Sequence, residues 1–191
     1  MTWTEAAGRS QYYVEAFYRS PSVLATILLG TVLALMVAGA AQHRRVLVAL
    51  TGTSIAVVLG VTVVPSGGWR SFAVESDTLR SIAVNVRPGP GDLTAWTQAG
   101  DGPLNVLLFV PLGGLLALLL RHPLAAAAAS SALSLAIECY QASLTTRVGA
   151  FADVVANSLG AALGAAAAGL VLALAAQVRP RSAGAERSAR W

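Results

Sequence analysis

The sequence predicts an all-α, polytopic transmembrane helical bundle of about five transmembrane helices with an N-terminal interfacial helix. Three observations predict it. Of 191 residues, 55% are apolar and only 12% charged, against about 25% charged in an ordinary soluble domain. Five apolar stretches run for roughly 17–25 residues, the length a helix needs to cross a hydrocarbon core of ~30 Å. The arginines, finally, all lie outside these stretches, and Arg44, Arg45, Arg121, Arg179 and Arg181 lie close to their ends.

The first 21 residues combine Arg9 and Arg19 with Glu5 and Glu15, and Tyr13, Val14, Phe17 and Tyr18 recur at i, i+1, i+4 and i+5. That pattern predicts an interfacial segment over 1–21 with its rings at headgroup depth. A cleaved signal peptide is the competing reading, with Val23–Val37 as its apolar region and Ala38, Gly39 and Ala40 as its small-residue site. The mixed charge, length and aromatic content of residues 1–21 argue against it.

The bundle itself is expected over 22–177. Its spans are Ser22–Ala41, Val46–Val64, Leu104–Leu120, Leu124–Gln141 and Asp153–Gln177. Pro111, Gly113 and Gly114 make the third span the least regular, and Pro111 predicts a kink rather than a stop because neighbouring helices can satisfy the freed backbone groups. Between the second and third spans lies one long connector, 65–103. It is dense in Gly and Pro, with room for a short helix near Ser71–Ala83, and loops of that length are usually functional or disordered. A basic tail, 178–191, holds Arg179, Arg181, Arg187 and Arg190.

Orientation follows from basic residues close to helix ends. Arg44, Arg45, Arg121, Arg179 and Arg181 fall on one side if all five spans cross, and the positive-inside rule makes that side cytoplasmic. The expected placement is a multi-pass protein of the cell membrane with its N-terminus outside and its C-terminus in the cytoplasm.

Several functions are excluded by supply. The basic residues, all Arg, are scattered between apolar runs rather than gathered on one face with aromatic platforms, so no nucleic acid is expected as a partner. Cys139 has no partner for an internal disulfide and reads as a small apolar packing residue. His43 and His122 sit in connectors on the side away from the polar residues described next, which leaves neither a zinc site nor a Ser–His nucleophile. Pro88-Gly-Pro-Gly91 lacks the Lys and following helix of a phosphate-binding loop. No metal and no cofactor is expected.

Polar residues inside apolar spans carry the functional information, because an ionisable group at a helix centre costs about 2.5–3.5 kcal/mol on insertion scales. At about 100° per residue, Ser130, Ser134, Glu138 and Gln141 share one stripe of the fourth span, while Asp153, Asn157, Gly160 and Gly164 share one of the fifth. Asn105 opens the third span. The topology brings Asn105, Glu138, Gln141, Arg147, Asp153 and Asn157 to the outer boundary, where they form a candidate polar pocket. Each has a bland reading as well. Glu138 pairs with Arg147 or serves as a proton acceptor or ligand anchor. Asp153 caps the fifth helix or takes an acid–base role. Asn157 bonds across helices to Glu138 or Asn105. Arg147 pairs with Glu138 or Asp153, or recognises an anion with its two parallel donors. Pro111, Gly113, Gly160 and Gly164 read as helix-packing residues, the last two as a GxxxG that points into its own bundle.

The run Asn105-Val-Leu-Leu-Phe109-Val-Pro111-Leu-Gly113, followed by Glu138-Cys-Tyr-Gln141 and by Arg147 with Asp153-Val-Val-Ala-Asn157-Ser-Leu-Gly160, resembles the VanZ-like family, named for a teicoplanin-resistance protein. Asn85-Val-Arg-Pro88 is similar to an Asn-x-x-Pro element that precedes these motifs, with Gly89 where an aromatic is often found. The resemblance covers 85–164. It implies a small helical membrane protein of the cell envelope with its polar motifs at one end, and a link to antibiotic resistance of the teicoplanin type. The expected function is recognition of an anionic lipid or cell-wall group at the outer leaflet, with lowered susceptibility to lipoglycopeptides. Expected partners are membrane lipids and a cell-wall precursor or lipoglycopeptide. The alternatives are a small transporter or flippase subunit, and an intramembrane acid–base enzyme using Glu138 and Asp153. The oligomeric state is left open.

Overall fold

The computed structural model describes residues 19–41, 44–65, 67–97 and 101–178. The segment holding Tyr13, Val14, Phe17 and Tyr18, the basic tail beyond Val178 and the connector residue His43 lie outside them. Among the described residues, five helices are long and apolar enough to cross a membrane. They are α1 (Pro21–Ala40), α2 (Arg45–Val63), α5 (Gly102–Leu120), α6 (Pro123–Ala142) and α7 (Phe151–Val178). Two short helices, α3 (Thr78–Asn85) and α4 (Asp92–Ala95), occupy the long connector.

Each boundary has a local cause. Ser20 accepts from the Val23 N–H and Pro21 stands at the first helical position, so α1 starts where its orphan donors are met. His122 Nδ1 accepts from the Ala125 N–H at 3.2 Å and caps α6. The α5 helix begins two residues earlier than its apolar run, with Pro103 in its first turn, and continues through Pro111 without a stop. Thr51 and Thr62, both buried, donate back to the carbonyls of Leu47 and Val58 at 2.7 Å, so α2 accommodates hydroxyls in an apolar setting.

The short helix expected over Ser71–Ala83 is displaced. Residues Trp69–Ser71 form a single 3-10 turn and the α-helix starts only at Thr78, with the Asp77 carboxylate accepting from the Arg80 N–H at 3.2 Å. The stretch between is extended because it pairs elsewhere. Val74 bridges Leu144, the Glu75 N–H donates to the Ser143 carbonyl at 2.8 Å, and the Thr145 N–H donates to that of Ala73 at 3.1 Å. The connector is thereby fastened to the α6–α7 loop, and Ser81 Oγ adds a 2.6 Å bond to the Ala142 carbonyl.

α5, α6 and α7 form the core trio. The most extensive packing joins α5 to α7, with α6 against both. The α1–α2 hairpin leans on this trio through α2, and α1 packs principally on α2 alone. Mid-bundle, Val58, Phe109, Leu112, Ile137 and Ala161 form one buried cluster. Towards the end that bears Arg44 and Arg121, the filling changes to Ala117, Ala126, Ala165 and Ala168. Gly160 and Gly164 meet α5 of the same chain: a Cβ on either would overlap the backbone carbonyl of Val106 or Val110. Gly113 meets the Ala161 carbonyl in the same way. The GxxxG therefore serves intrachain packing.

Candidate functional site

The stripe of α6 turns inward as its spacing requires. Ser130, Ser134, Glu138 and Gln141 are all buried, Glu138 to 2% exposure, and on α7 Asn157, Gly160 and Gly164 are buried on the facing surface. Asn105 in the first turn of α5, Asp153 in the first turn of α7 and Gln141 in the last turn of α6 lie at the same end of the bundle because these helices alternate in direction. A cavity of about 380 Å³ opens between them. All six residues expected to form a polar pocket, Asn105, Glu138, Gln141, Arg147, Asp153 and Asn157, line it. Its volume falls within the ~300–1,000 Å³ of small-molecule sites. Leu104, Leu107, Leu108 and Val61 supply the apolar part of the wall, and Leu107 is 65% exposed, so the cavity reaches the lipid-facing surface.

The hydrogen bonds differ from those expected. Glu138 and Arg147 do not form a direct ion pair. Glu138 Oε2 accepts from the Ala150 N–H at 3.0 Å, whereas Arg147 Nη2 donates to the Val64 and Val61 carbonyls at 2.7 and 3.1 Å. Those carbonyls belong to the end of α2, where a helix leaves acceptors without intrahelical donors. Arg147 thus closes the terminus of a neighbouring helix. Burial pulls its guanidinium below the ordinary value, and the nearby Glu138 charge acts in the opposite sense. Gln141 Nε2 adds a second clasp, donating to the Thr62 carbonyl at 3.1 Å.

Asp153 stands in the first turn of α7, two residues after Phe151, where an acid complements the helix dipole although it is not the capping residue. Its Oδ1 accepts instead from Asn105 Nδ2 at 2.9 Å and ties the starts of α5 and α7 together. Asn157 does bond across helices, but to Ser134 Oγ at 2.9 Å rather than to Glu138 or Asn105. Two pocket atoms are left over. Arg147 Nε, a donor, and Asn157 Oδ1, an acceptor, are buried without a partner. Such groups are costly unless something meets them.

Sequence reasoning missed three contributors. Asp101, at the end of the long connector, lines the cavity one turn before Asn105, and that i, i+4 spacing is the signal that could have found it. Val61 and Thr62 line it as well and lend backbone carbonyls to the clasps, which no side-chain pattern reports. The cavity therefore presents three carboxyl groups, Asp101, Glu138 and Asp153, with a single guanidinium. Among the described residues no three His, Cys, Asp or Glu side chains are grouped to hold a metal ion. The arrangement suits hydrogen bonding to a polar head that brings its own donors and acceptors. His122 lies at the far end of the bundle as the cap of α6, and Cys139 is half-buried beside the polar stripe.

No curated protein and no solved structure matches the chain. A family model described as VanZ/LLP1 does match, over residues 23–172. The match reaches well beyond the motif stretch 85–164: it enters α1, contains α2, α5 and α6 entire, and runs into α7, so it takes in every residue that lines the cavity. An all-α bundle with five apolar spans, the motif residues around one cavity and a family match over most of the length agree with one another, and the chain belongs to the VanZ/LLP1 family.

Proposed function

We propose that this multi-pass membrane protein binds the polar head of an envelope lipid or lipid-linked cell-wall group in the cavity between α2, α5, α6 and α7. The observation that carries this reading is the pair of unmet groups in one cavity. Arg147 Nε calls for an acceptor and Asn157 Oδ1 for a donor. A phosphate or carboxylate beside a hydroxyl or amine answers both, and the exposed Leu107 gives the ligand's apolar part a route into the bilayer. An anionic group at Arg147 and a donor near the three carboxyls is the arrangement with matched charge.

Placed at the outer leaflet of the cell membrane, such a site lowers susceptibility to teicoplanin-type lipoglycopeptides, whose acyl chain brings them to the same depth. The outward orientation rests on Arg44, Arg45 and Arg121 adjoining helix ends on the other side. Single cysteines placed along 67–97 in a Cys139→Ser background should react with an impermeant maleimide on intact cells. Labelling only after permeabilisation reverses the orientation and removes the outer-leaflet reading.

The functional test is expression in a susceptible Gram-positive host. The teicoplanin inhibitory concentration should rise, and that of vancomycin, which lacks the acyl chain, should rise less. Arg147→Ala and Glu138→Ala proteins present at wild-type abundance in the membrane should lose the effect. Protection equal to wild type would make the cluster scaffolding.

A transporter is less well supported, because the polar stripe of α6 ends at Ser130 and gives way to the alanine cluster of Ala117, Ala126, Ala165 and Ala168. An acid–base enzyme is the second reading, favoured by Glu138 and Asp153 lining one cavity. Lipid turnover by the wild-type protein that disappears in Glu138→Gln and Asp153→Asn would select it.

A further inference from the structure

The opposite end of the bundle holds a second cavity of about 570 Å³, more open than the first. Arg44 and Arg45, from the α1–α2 turn, and Arg121, from the α5–α6 turn, line it together with Leu47, Leu118 and Leu172. Two turns far apart in sequence thus deliver three guanidiniums to one place. Two of them are held there by hydrogen bonds. Arg44 Nη1 donates to the Leu119 carbonyl at 2.6 Å, Arg45 Nε donates to that of Ala41 at 3.2 Å, and Arg121 sits in the left-handed region with φ of 57°. A left-handed backbone favours glycine, yet this position carries an arginine.

No acid compensates them among the described residues. Glu75, Asp77 and Asp92 belong to the connector, and Asp101, Glu138 and Asp153 to the first cavity, all at the other end. Basic residues at helix ends satisfy the positive-inside rule one at a time. That rule does not require three of them around a shared leucine-lined cavity. Like charges so gathered repel, and an external anion relieves the repulsion.

We propose that this second cavity binds the phosphate of an anionic phospholipid, with the acyl chains lying along Leu118 and Leu172. Guanidiniums match phosphate oxygens with paired donors, and basic pockets between transmembrane helices suit such headgroups. The site is separate from the one in the proposed function and does not depend on it.

The test uses the full chain in detergent, with lipid retention measured by native mass spectrometry. The probes are dioleoylphosphatidylglycerol, dioleoylphosphatidylcholine and inorganic phosphate. At about 1 kcal/mol for each basic residue near a lipid surface, three arginines give a preference for the glycerol lipid over the choline lipid of about 100-fold. Arg45→Gln and Arg121→Gly should each lower that preference about fivefold. Arg121→Gly suits the existing φ, and Arg45 bonds only within its own turn, so both variants keep the fold. Equal retention of the two lipids overturns the proposal, as does a preference unchanged in the Arg45→Gln, Arg121→Gly double variant. Protection from heat by inorganic phosphate with no selective retention of the glycerol lipid also overturns it, in favour of a soluble phosphate compound.

Discussion

Between α5 and α7, the glycines Gly113, Gly160 and Gly164 meet backbone carbonyls, whereas between α1 and α2 the glycines Gly30 and Gly52 meet first the methyl groups of Ala56 and Ala34. Both interfaces are built from small residues, as helix contacts in a membrane commonly are. What stands opposite each glycine differs. At the α5–α7 seam an added carbon meets a carbonyl that is locked into its own helix, and that seam also carries the Asn105–Asp153 bond. At the hairpin it meets an alanine methyl that is itself fixed to its backbone, so only a movement of α1 as a whole can relieve the overlap, and α1 packs principally on α2 alone. The seam is therefore the fixed wall of the first cavity, and the hairpin is the adjustable one, held to it by the clasps from Gln141 and Arg147.

The sharpest way to break this contrast is to add one carbon on each side of it. Gly160→Ala forces the seam apart and should cost about 3 kcal/mol, the upper part of the range for overpacking, seen as a lower unfolding midpoint in detergent. Gly30→Ala should cost about 1 kcal/mol, the lower part of that range, because α1, packed principally on α2 alone, can move away as a body. Equal losses would show that the two interfaces yield alike.

A smaller effect isolates one clasp. Gln141→Ala removes the bond to the Thr62 carbonyl and should lower stability by about 0.6 kcal/mol, the average for interhelical hydrogen bonds in membranes. A cysteine at Thr62, in a Cys139→Ser background, should become more reactive to maleimide in that variant. Unchanged reactivity would mean that Gln141 does not hold the hairpin. The smallest expected quantity is the coupling between Glu138 and Arg147. Each bonds to backbone groups rather than to the other, so only through-space attraction couples them, and a cycle of Glu138→Gln and Arg147→Gln should show a coupling of about 0.5 kcal/mol, the low end for neighbouring groups. Coupling of several kcal/mol would restore a direct ion pair.

Helix existence and the polar faces were legible in the sequence because hydrocarbon leaves so little choice. An apolar stretch of spanning length becomes a helix, and Glu138 inside one has to turn towards other polar groups. Helix ends fell within a few residues of those expected, and all six expected residues converge on one cavity. Pairing was not legible. Asn157 chose Ser134 and Arg147 chose the end of α2, since helix rotation and reach decide among partners that a list of residue types leaves equal. The connector misled for a related reason: residues 73–75 are extended because of Ser143–Thr145, about seventy residues away.

The Arg147 clasp also imposes an order on assembly. Its two acceptors lie 86 and 83 residues earlier in the chain. At synthesis rates of roughly 5–20 residues per second, α2 is complete about 4–17 s before Arg147 emerges. During that interval the last carbonyls of α2 have only water or headgroups for company, and the hairpin sits in the bilayer without its closing contact. The cavity wall made by Val61 and Thr62 is thus among the last parts of the protein to take final form, and a chain stopped before residue 147 would retain the hairpin but not the site.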